Sequence, residues 1–328
     1  MITVEVNPKG RDDEFLKCLN FCFDGWGDRK KYEWHFRRKT VYPETDLIFL
    51  KKNNDLAAGS AVTYRKVALP NDKEITVGII GSTWTLPSFR NQGYFARITE
   101  ESLRLTALKG GVLLLGFTVA ARPSFRQLTR AGSANFPCSY LFSTAQTKCP
   151  EQKATLRFAK KSRPVIAELF ARLSTSGNGY ARFLYASEQA FDSQFIYRPG
   201  ETEIFADDYG NSGIIEKTED TDILQLYLSN SDDESSMTES LASILSYTLS
   251  AGRKLFLYSS QPGLVNLSRR VGLEVKAGYL NVLIAEESRL RDALGILGSA
   301  PIEDTKLLAR ADSDWFLGNW KLQAGDRA

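Results

Sequence analysis

Histidine is nearly absent from this chain of 328 residues, since only His35 is present, and the four cysteines Cys18, Cys22, Cys138 and Cys149 follow no CxxC spacing. One histidine and scattered thiols cannot complete a Cys/His zinc set, so a bound metal is not expected. No apolar run approaches the roughly 18 residues needed to cross a bilayer, and no membrane span is expected. The opening Met-Ile-Thr-Val-Glu-Val has neither a basic n-region nor an apolar h-region, so the expected location is cytoplasmic. A surplus of charge is missing too: 42 Lys and Arg face 39 Asp and Glu, for a formal charge of +3. That balance gives no global field for nucleic acid or an anionic membrane, and any anion site has to be local.

What is present suits a folded protein of two parts. A hydrophobic fraction of 43% supplies two cores without staples, and the length exceeds one ordinary domain. Around Thr147 to Lys161 the composition turns polar and basic, so the expected domains are residues 1–150 and 151–328. Cys18 and Cys22 share one face of a helical stretch, where two small buried hydrophobes explain them.

Periodicity then orders the first half. Helices are expected from Asp12 to Phe23 and Lys30 to Lys39, parted by the turn Asp24-Gly25-Trp26-Gly27-Asp28. Strands are expected at Leu47–Leu50, Ala57–Tyr64 and from Glu74 towards Trp84. A helix from Gly93 to Lys109, closed by Gly110-Gly111, leads to a buried strand at Val112–Phe117, a short helix at Ser124–Arg130 and a strand at Ser139–Ala145. A connecting helix follows at Val165–Leu173, before the loop Ser174–Gly179. The run Met237–Leu249, Lys254–Tyr258, Leu264–Arg270 and Gly278–Ile284 repeats helix, strand, helix, strand in weakened form. The fold class is thus α/β with a mixed sheet (α+β), in two related domains.

The segment with chemical content joins a strand to a helix start: Thr85-Leu86-Pro87-Ser88-Phe89-Arg90-Asn91-Gln92-Gly93-Tyr94-Phe95. Successive N–H groups at a helix N-terminus, with Gly93 permitting close approach, can surround a pyrophosphate, and Arg90 adds a charged donor. Read by itself, the same pattern also serves a chain that merely turns.

Arg90-Asn91-Gln92-Gly93-Tyr94, with Pro87 before it, resembles the coenzyme A turn Arg/Gln-x-x-Gly-x-Gly/Ala of the Gcn5-related N-acetyltransferases (GNAT). Phe95 stands where Gly or Ala is commonest, a departure similar to the Gly-x-Phe version of a bacterial branch. The resemblance covers residues 30–145 and reaches the later half through the repeat. It implies that acetyl-CoA or another acyl-CoA is the co-substrate. Backbone amides of Asn91, Gln92, Gly93, Tyr94 and Phe95 would hold the pyrophosphate, with the Arg90 side chain beside them, while the strand edge from Ser82 through Trp84 and Thr85 to Leu86 pairs with the pantetheine, next to a splay between this strand and Val112–Phe117.

The family's strand carboxylate has no counterpart in Ile79-Ile80-Gly81-Ser82-Thr83, and Leu128 stands where many members have a thiolate-protonating Tyr. The catalytic residues are therefore unassigned, with Tyr94, Tyr140 or a residue of the second half as alternatives to backbone and water. The run Tyr32–Lys39 resembles a Trp-containing segment of bacterial GNAT proteins linked to surface-polysaccharide genes, and makes Trp34 and His35 candidates for binding the acceptor. An amphipathic helix with Trp34 buried and Arg37 and Arg38 solvated explains it as well. The tails Asp312-Ser313-Asp314-Trp315-Phe316 and Trp320-Lys321-Leu322 resemble that branch, although two acids there also suit a turn cap.

The expected activity is acyl transfer from coenzyme A to a small amine, such as an amino sugar. Alternatives are a non-catalytic acyl-CoA-binding or partner-binding protein, and an aminoacyl or fatty-acyl transferase on the tandem fold. Only the first domain is expected to bind coenzyme A, because Ser231-Asp232-Asp233-Glu234 puts three acids where the second would seat phosphate.

Overall fold

The structure is a computed structural model that describes residues 1–151, 153–176, 179–295 and 320–327. Asp312 to Phe316 therefore lie outside the described residues. The chain order opens with β1 (Ile2–Val6), α1 (Asp12–Cys22) and α2 (Arg29–Tyr32), which widens into a π turn over Glu33–Arg37. β2 (Asp46–Lys52), β3 (Asp55–Ala68) and β4 (Glu74–Thr85) follow, then α3 (Tyr94–Leu108), β5 (Leu113–Val119), α4 (Pro123–Arg130) and β6 (Ala134–Phe142). The second half contains β7 (Arg157–Ala159), α5 (Arg163–Thr175), β8 (Arg182–Leu184), α6 (Glu188–Phe191), β9 (Glu201–Ala206), β10 (Ser212–Lys217) and β11 (Thr221–Leu228). It continues through α7 (Glu234–Ser250), β12 (Lys254–Ser259), α8 (Pro262–Arg270), β13 (Glu274–Ile284) and α9 (Glu287–Leu294).

Two compact units result, and both are discontinuous in sequence. The first joins residues 1–136 to 279–295, and the second joins 137–278 to 320–327. The expected boundary near residue 150 divides the sequence, whereas the compact units part inside β6, at Phe136/Pro137, and inside β13, at Gly278/Tyr279. Each unit thus takes its closing strand from the other half of the chain. In the first unit the strand order is β1-β2-β3-β4-β5-β13, and in the second it is β6-β12-β11-β10-β9-β7.

Alternation along the first sheet decides its two faces. Leu47, Phe49, Ala61 and Trp84 face α1 and the π turn, where they pack on Phe15, Leu19, Tyr32 and Phe36. Phe15 is the hub, with edge-on contacts to Tyr32, Phe36, Phe49 and Trp84 at centroid distances of 5.3–6.4 Å. The other face presents Ile48, Leu50, Val62 and Ile80 to Tyr94, Ile98 and Leu105 of α3 and Leu128 of α4. Burying one such aromatic or aliphatic side chain contributes about 1.5–3 kcal/mol, so each face is well anchored.

The second unit has its own core, built from Leu224 on β11, Leu255 and Leu257 on β12, and Leu241, Ile244 and Leu245 on α7. The expected helix-strand-helix-strand run is present as α7, β12, α8 and β13. The antiparallel meander β9-β10-β11 before it was not expected from the sequence. Asp233 caps α7, its carboxylate accepting from the N–H of Ser235 at 3.3 Å and of Ser236 at 2.9 Å. A side chain of the chain itself therefore occupies the amides that a phosphate would need.

Candidate active site

β4 carries the irregularity on which the site is built. Ala61 pairs with Gly81 and Gly59 with Trp84, so β4 spends one residue more than β3 over the same length. The extra residue bulges at Ser82, which adopts the left-handed region at φ 50°. On the opposite edge, the parallel register with β5 runs from Val77/Leu113 to Ile80/Gly116 and stops there. Both strands continue, to Thr85 and Val119, without pairing to each other. The splay expected between these strands is the V-shaped gap that opens at Ile80 and Gly116.

A 3₁₀ turn over Pro87–Phe89 carries the chain from β4 to the head of α3. Asn91 and Gly93 both take positive φ, at 61° and 79°, and the N–H groups of Asn91 to Ala96 donate to no protein acceptor among the described residues. Six successive free donors at the start of a 15-residue helix form a concave nest that favours an anion. A Cβ built on Gly93 meets nothing within 4 Å, so the glycine is required by its φ and the space before it is open. The flank is polar: Lys52 Nζ donates to Gln92 Oε1 at 2.9 Å, Gln92 Nε2 donates to the Ser88 carbonyl at 3.1 Å, and the exposed Arg90 guanidinium reaches the Thr85 carbonyl at 3.4 Å.

The remaining expected residues divide by location. Thr85 and Leu86 stand at the end of the unpaired edge, with the Leu86 N–H committed to the Ala57 carbonyl at 2.9 Å. Trp84 keeps its backbone at that edge, but its indole is buried in the α1 layer, where it lies across Gly59 so closely that a Cβ there would come within 2.4 Å. Phe95 packs partly buried beside α3's core contacts. Tyr94 turns into that core and leaves its hydroxyl buried without a hydrogen-bond partner. Tyr140 lies in the second unit beneath the Arg327 guanidinium, 4.7 Å from its ring centroid, and burial raises its pKa above the ordinary tyrosine value.

His35 lines a cavity of about 310 Å³ on the α1 side of the first sheet, together with Phe36 to Thr40, Tyr42 to Thr45 and Thr63 to Arg65. Trp34 does not line it; half-buried, it carries the Arg38 guanidinium 4.1 Å over its ring. The buried aromatics of this segment are Tyr32 and Phe36, and Arg37 is not simply solvated, because it pairs with Asp12. Burial draws the Asp12 carboxyl upward, but hydrogen bonds from Arg37 and Tyr32 outweigh it and hold the pKa below the usual value. The Cys18 thiol is pushed up to about 11, first by burial, which makes it an inert core side chain.

Leu128 fills the place expected of a thiolate-protonating tyrosine. It is buried, and its Cδ1 lies 2.9 Å from where a Cβ on Gly116 would sit. Next to it lies a polar group that sequence reading missed. Asn281, 1% exposed, accepts from Thr118 Oγ1 and donates to Asn135 Oδ1, each at 2.5 Å, and Ser133 donates to the same Asn135 oxygen at 2.8 Å. Thr118 sits on β5 beyond its last pairing with β4. The signal was a lone Asn in the apolar strand Leu280-Asn281-Val282, but that strand was assigned to the second half. No member of this cluster is an acid or base at neutral pH, so it can orient a group or pass hydrogen bonds without taking up a net proton.

Residues 9–127 match the family model described as the acetyltransferase (GNAT) domain. The chain carries a GNAT domain. No curated protein matches it. Among solved structures it is similar to a probable N-acyltransferase from Enterococcus faecalis, at 14% identity and a TM-score of 0.58, covering 88% of this chain and 73% of that one. It is also similar to a tandem GNAT protein from the clavulanic acid biosynthesis pathway, at 10% identity and a TM-score of 0.60, covering 87% and 99%. A third is the N-myristoyltransferase of Saccharomyces cerevisiae, at 12% identity and a TM-score of 0.59, covering 86% and 82%. At such identities these likenesses speak for the fold alone, which here extends in tandem across the chain. Among the described residues no helix is long and apolar enough to cross a membrane, and no cluster of ligating side chains could hold a metal.

Proposed function

We propose that this GNAT protein is an acyl-CoA-dependent N-acyltransferase that binds its donor in the first unit and acylates a small amine. The observation that carries the reading is the end of the β4–β5 pairing at Ile80 and Gly116, on the same strand that leads through the turn at Pro87–Phe89 to the six free N–H groups of Asn91 to Ala96. In this reading the unpaired edge of β4 offers backbone groups to the pantetheine arm, and the head of α3 receives the pyrophosphate. The amine nitrogen bonds to the acyl carbon, the carbon–sulfur bond breaks, and the thiolate leaves and takes a proton. Of the expected acceptor residues, His35 is the one positioned on a cavity, and it is the titratable group there suited to relieve the amine of its proton. An amino sugar fits a cavity of this size and polarity, at the lower end of the usual range of about 300–1,000 Å³.

A second reading, an acyl-CoA-binding protein without catalysis, is favoured by Leu128, which puts an apolar side chain where a proton donor would serve. Calorimetry with acetyl-CoA and longer acyl-CoAs, followed by thiol release in the presence of amines, separates the two. Binding with amine-dependent thiol release supports the transferase, binding without it supports the second reading, and no binding to any acyl-CoA defeats both. The longer chains are included because one relative of the same fold is described with myristoyl-CoA bound.

A further inference from the structure

The second unit has a break in its sheet that matches the one in the first. The parallel register of β11 with β12 runs from Thr221/Lys254 to Leu224/Leu257 and stops, although β11 continues to Leu228 and β12 to Ser259. β4 and β5 part after a register of the same length. An extra residue accompanies the break in both units. Ile215 pairs with Leu224 and Ile214 with Leu226, so Gln225 bulges on β11 just past the last pair, as Ser82 bulges on β4. The edges that β11 and β12 turn towards each other are therefore left to another partner.

That partner is the end of the chain itself. Gln323 stands between the two strands: its Oε1 accepts from the Tyr227 N–H of β11 at 2.7 Å, and its backbone forms an antiparallel bridge to Ser259 of β12, whose opposite edge pairs with Ser139 of β6. Ahead of it, the Leu322 N–H donates to Ser260 Oγ at 3.0 Å, and the Trp320 carbonyl accepts from Gln261 Nε2 at 2.9 Å. Behind it comes a 3₁₀ turn over Ala324–Arg327, in which Asp326 accepts from the Tyr185 hydroxyl at 2.6 Å and from the Gln323 N–H at 2.7 Å. Gly325 lies so close to Phe195 that a Cβ would collide with the ring. The turn ends with the Arg327 guanidinium among three rings, 4.7 Å from the Tyr140 centroid, 5.2 Å from Tyr258 and 5.6 Å from Phe256. Arg327 Nε is buried with no hydrogen-bond partner among the described residues, and the ring faces stand where an acceptor would.

A further strand would pair along its length. Residues 320–327 instead give β12 one bridge and β11 one side-chain amide, and seat chosen side chains in separate places, which is how an extended peptide is received at an open sheet edge. We propose that the gap of the second unit is a peptide-binding groove that reads a glutamine, a glycine two residues on and an arginine four residues on, and that residues 320–327 fill it in cis. The proposal concerns the second unit alone and stands apart from the donor reading of the first. A tethered segment competes at an effective concentration of about millimolar, so a peptide in solution enters the groove only when the chain's own segment is weakened.

The test supplies the segment in trans to the full chain. A synthetic peptide of residues 320–328 is titrated by calorimetry into the wild type and into Gly325→Val, whose side chain collides with Phe195 and expels the segment. The variant should bind the peptide at least tenfold more tightly than the wild type does, and a peptide carrying Arg327→Ala should lose fivefold or more. Gln323→Ala is the milder second variant. Its Tyr227 amide should exchange hydrogen at least tenfold faster than in the wild type, while Ile79 and Ile80 of the first unit keep their rates, and added native peptide should slow Tyr227 again. If Gly325→Val does not fold by circular dichroism, the exchange measurement decides alone. No binding to a folded Gly325→Val, or no slowing of Tyr227 exchange by the peptide, overturns the proposal, as does equal binding by the Arg327→Ala peptide or by the wild-type chain.

Discussion

Replacing Gly93 by aspartate isolates the nest at the head of α3 from everything around it. Gly93 has φ 79° and a Cβ would meet no atom within 4 Å, so the new side chain clashes with nothing and its cost is the left-handed backbone, about 1–2 kcal/mol. That lowers the melting temperature by only a few degrees in a chain of this size. The effect on the donor is larger. A carboxylate about 5 Å from a phosphate charge at an effective dielectric near 20 costs about 3 kcal/mol, or more than a hundredfold in affinity. Gly93→Ala carries the same backbone strain without the charge, and should lose little affinity. Arg90→Ala should fall between them: the six amides remain, and an exposed charged hydrogen bond contributes at most about 1.5 kcal/mol, roughly tenfold. Calorimetry with acetyl-CoA on the three variants, with circular dichroism to check the fold, gives the ordering. Undiminished affinity in Gly93→Asp, or an equal loss in Gly93→Ala, would refute an anion cradle built from these amides.

Ser82→Val places a β-branched side chain at φ 50° and should destabilise the chain by about 1–2 kcal/mol in urea titrations, with weaker acetyl-CoA binding because the bulge ends the β4 edge. Gly116→Ala drives a methyl to 2.9 Å from Leu128 Cδ1 and should cost about 1–3 kcal/mol by overpacking, which Leu128→Ala in the same chain should partly relieve. Asp12 binds its proton more weakly folded than unfolded, so its contribution is intact above the ordinary carboxylate value of about 4 and fades as pH falls through the lower folded value. Asp12→Asn should therefore lower the wild-type melting temperature at pH 7 by an amount that shrinks below pH 4, by differential scanning calorimetry.

Local pattern was enough for most of the first unit. The α1 helix, the β2–β3 hairpin, the Gly93 turn and the α3–β5 crossover are each written in a few neighbouring residues, and each formed where its periodicity and glycines point. What escaped depends on distant partners. The splay was expected only through the family resemblance, and nothing around Ile80 states that pairing with β5 stops at that residue, because the place follows from where β4 and β5 run. The buried state of the Trp84 indole depends on the closeness of Gly59, 25 positions away in sequence but adjacent on β3. His35 was legible as a polar aromatic in an unusual run, whereas Arg65 stands just past the expected strand Ala57–Tyr64 and carries no local signal, and only the fold brings it to the same cavity as residues 38–40 and 42–45.

The division of β6 and β13 between the units also sets a schedule for biosynthesis. A ribosome releases the chain from the N-terminal end, and by residue 136 it has delivered every strand of the first sheet except the last. The free edge of β5 then waits until residue 284 has emerged, nearly 150 residues later, with its N–H and C=O groups open to any passing strand. A gene cut near residue 150 would leave that edge open for good. The two halves of the sequence are thus repeats in pattern and cannot be separated as products.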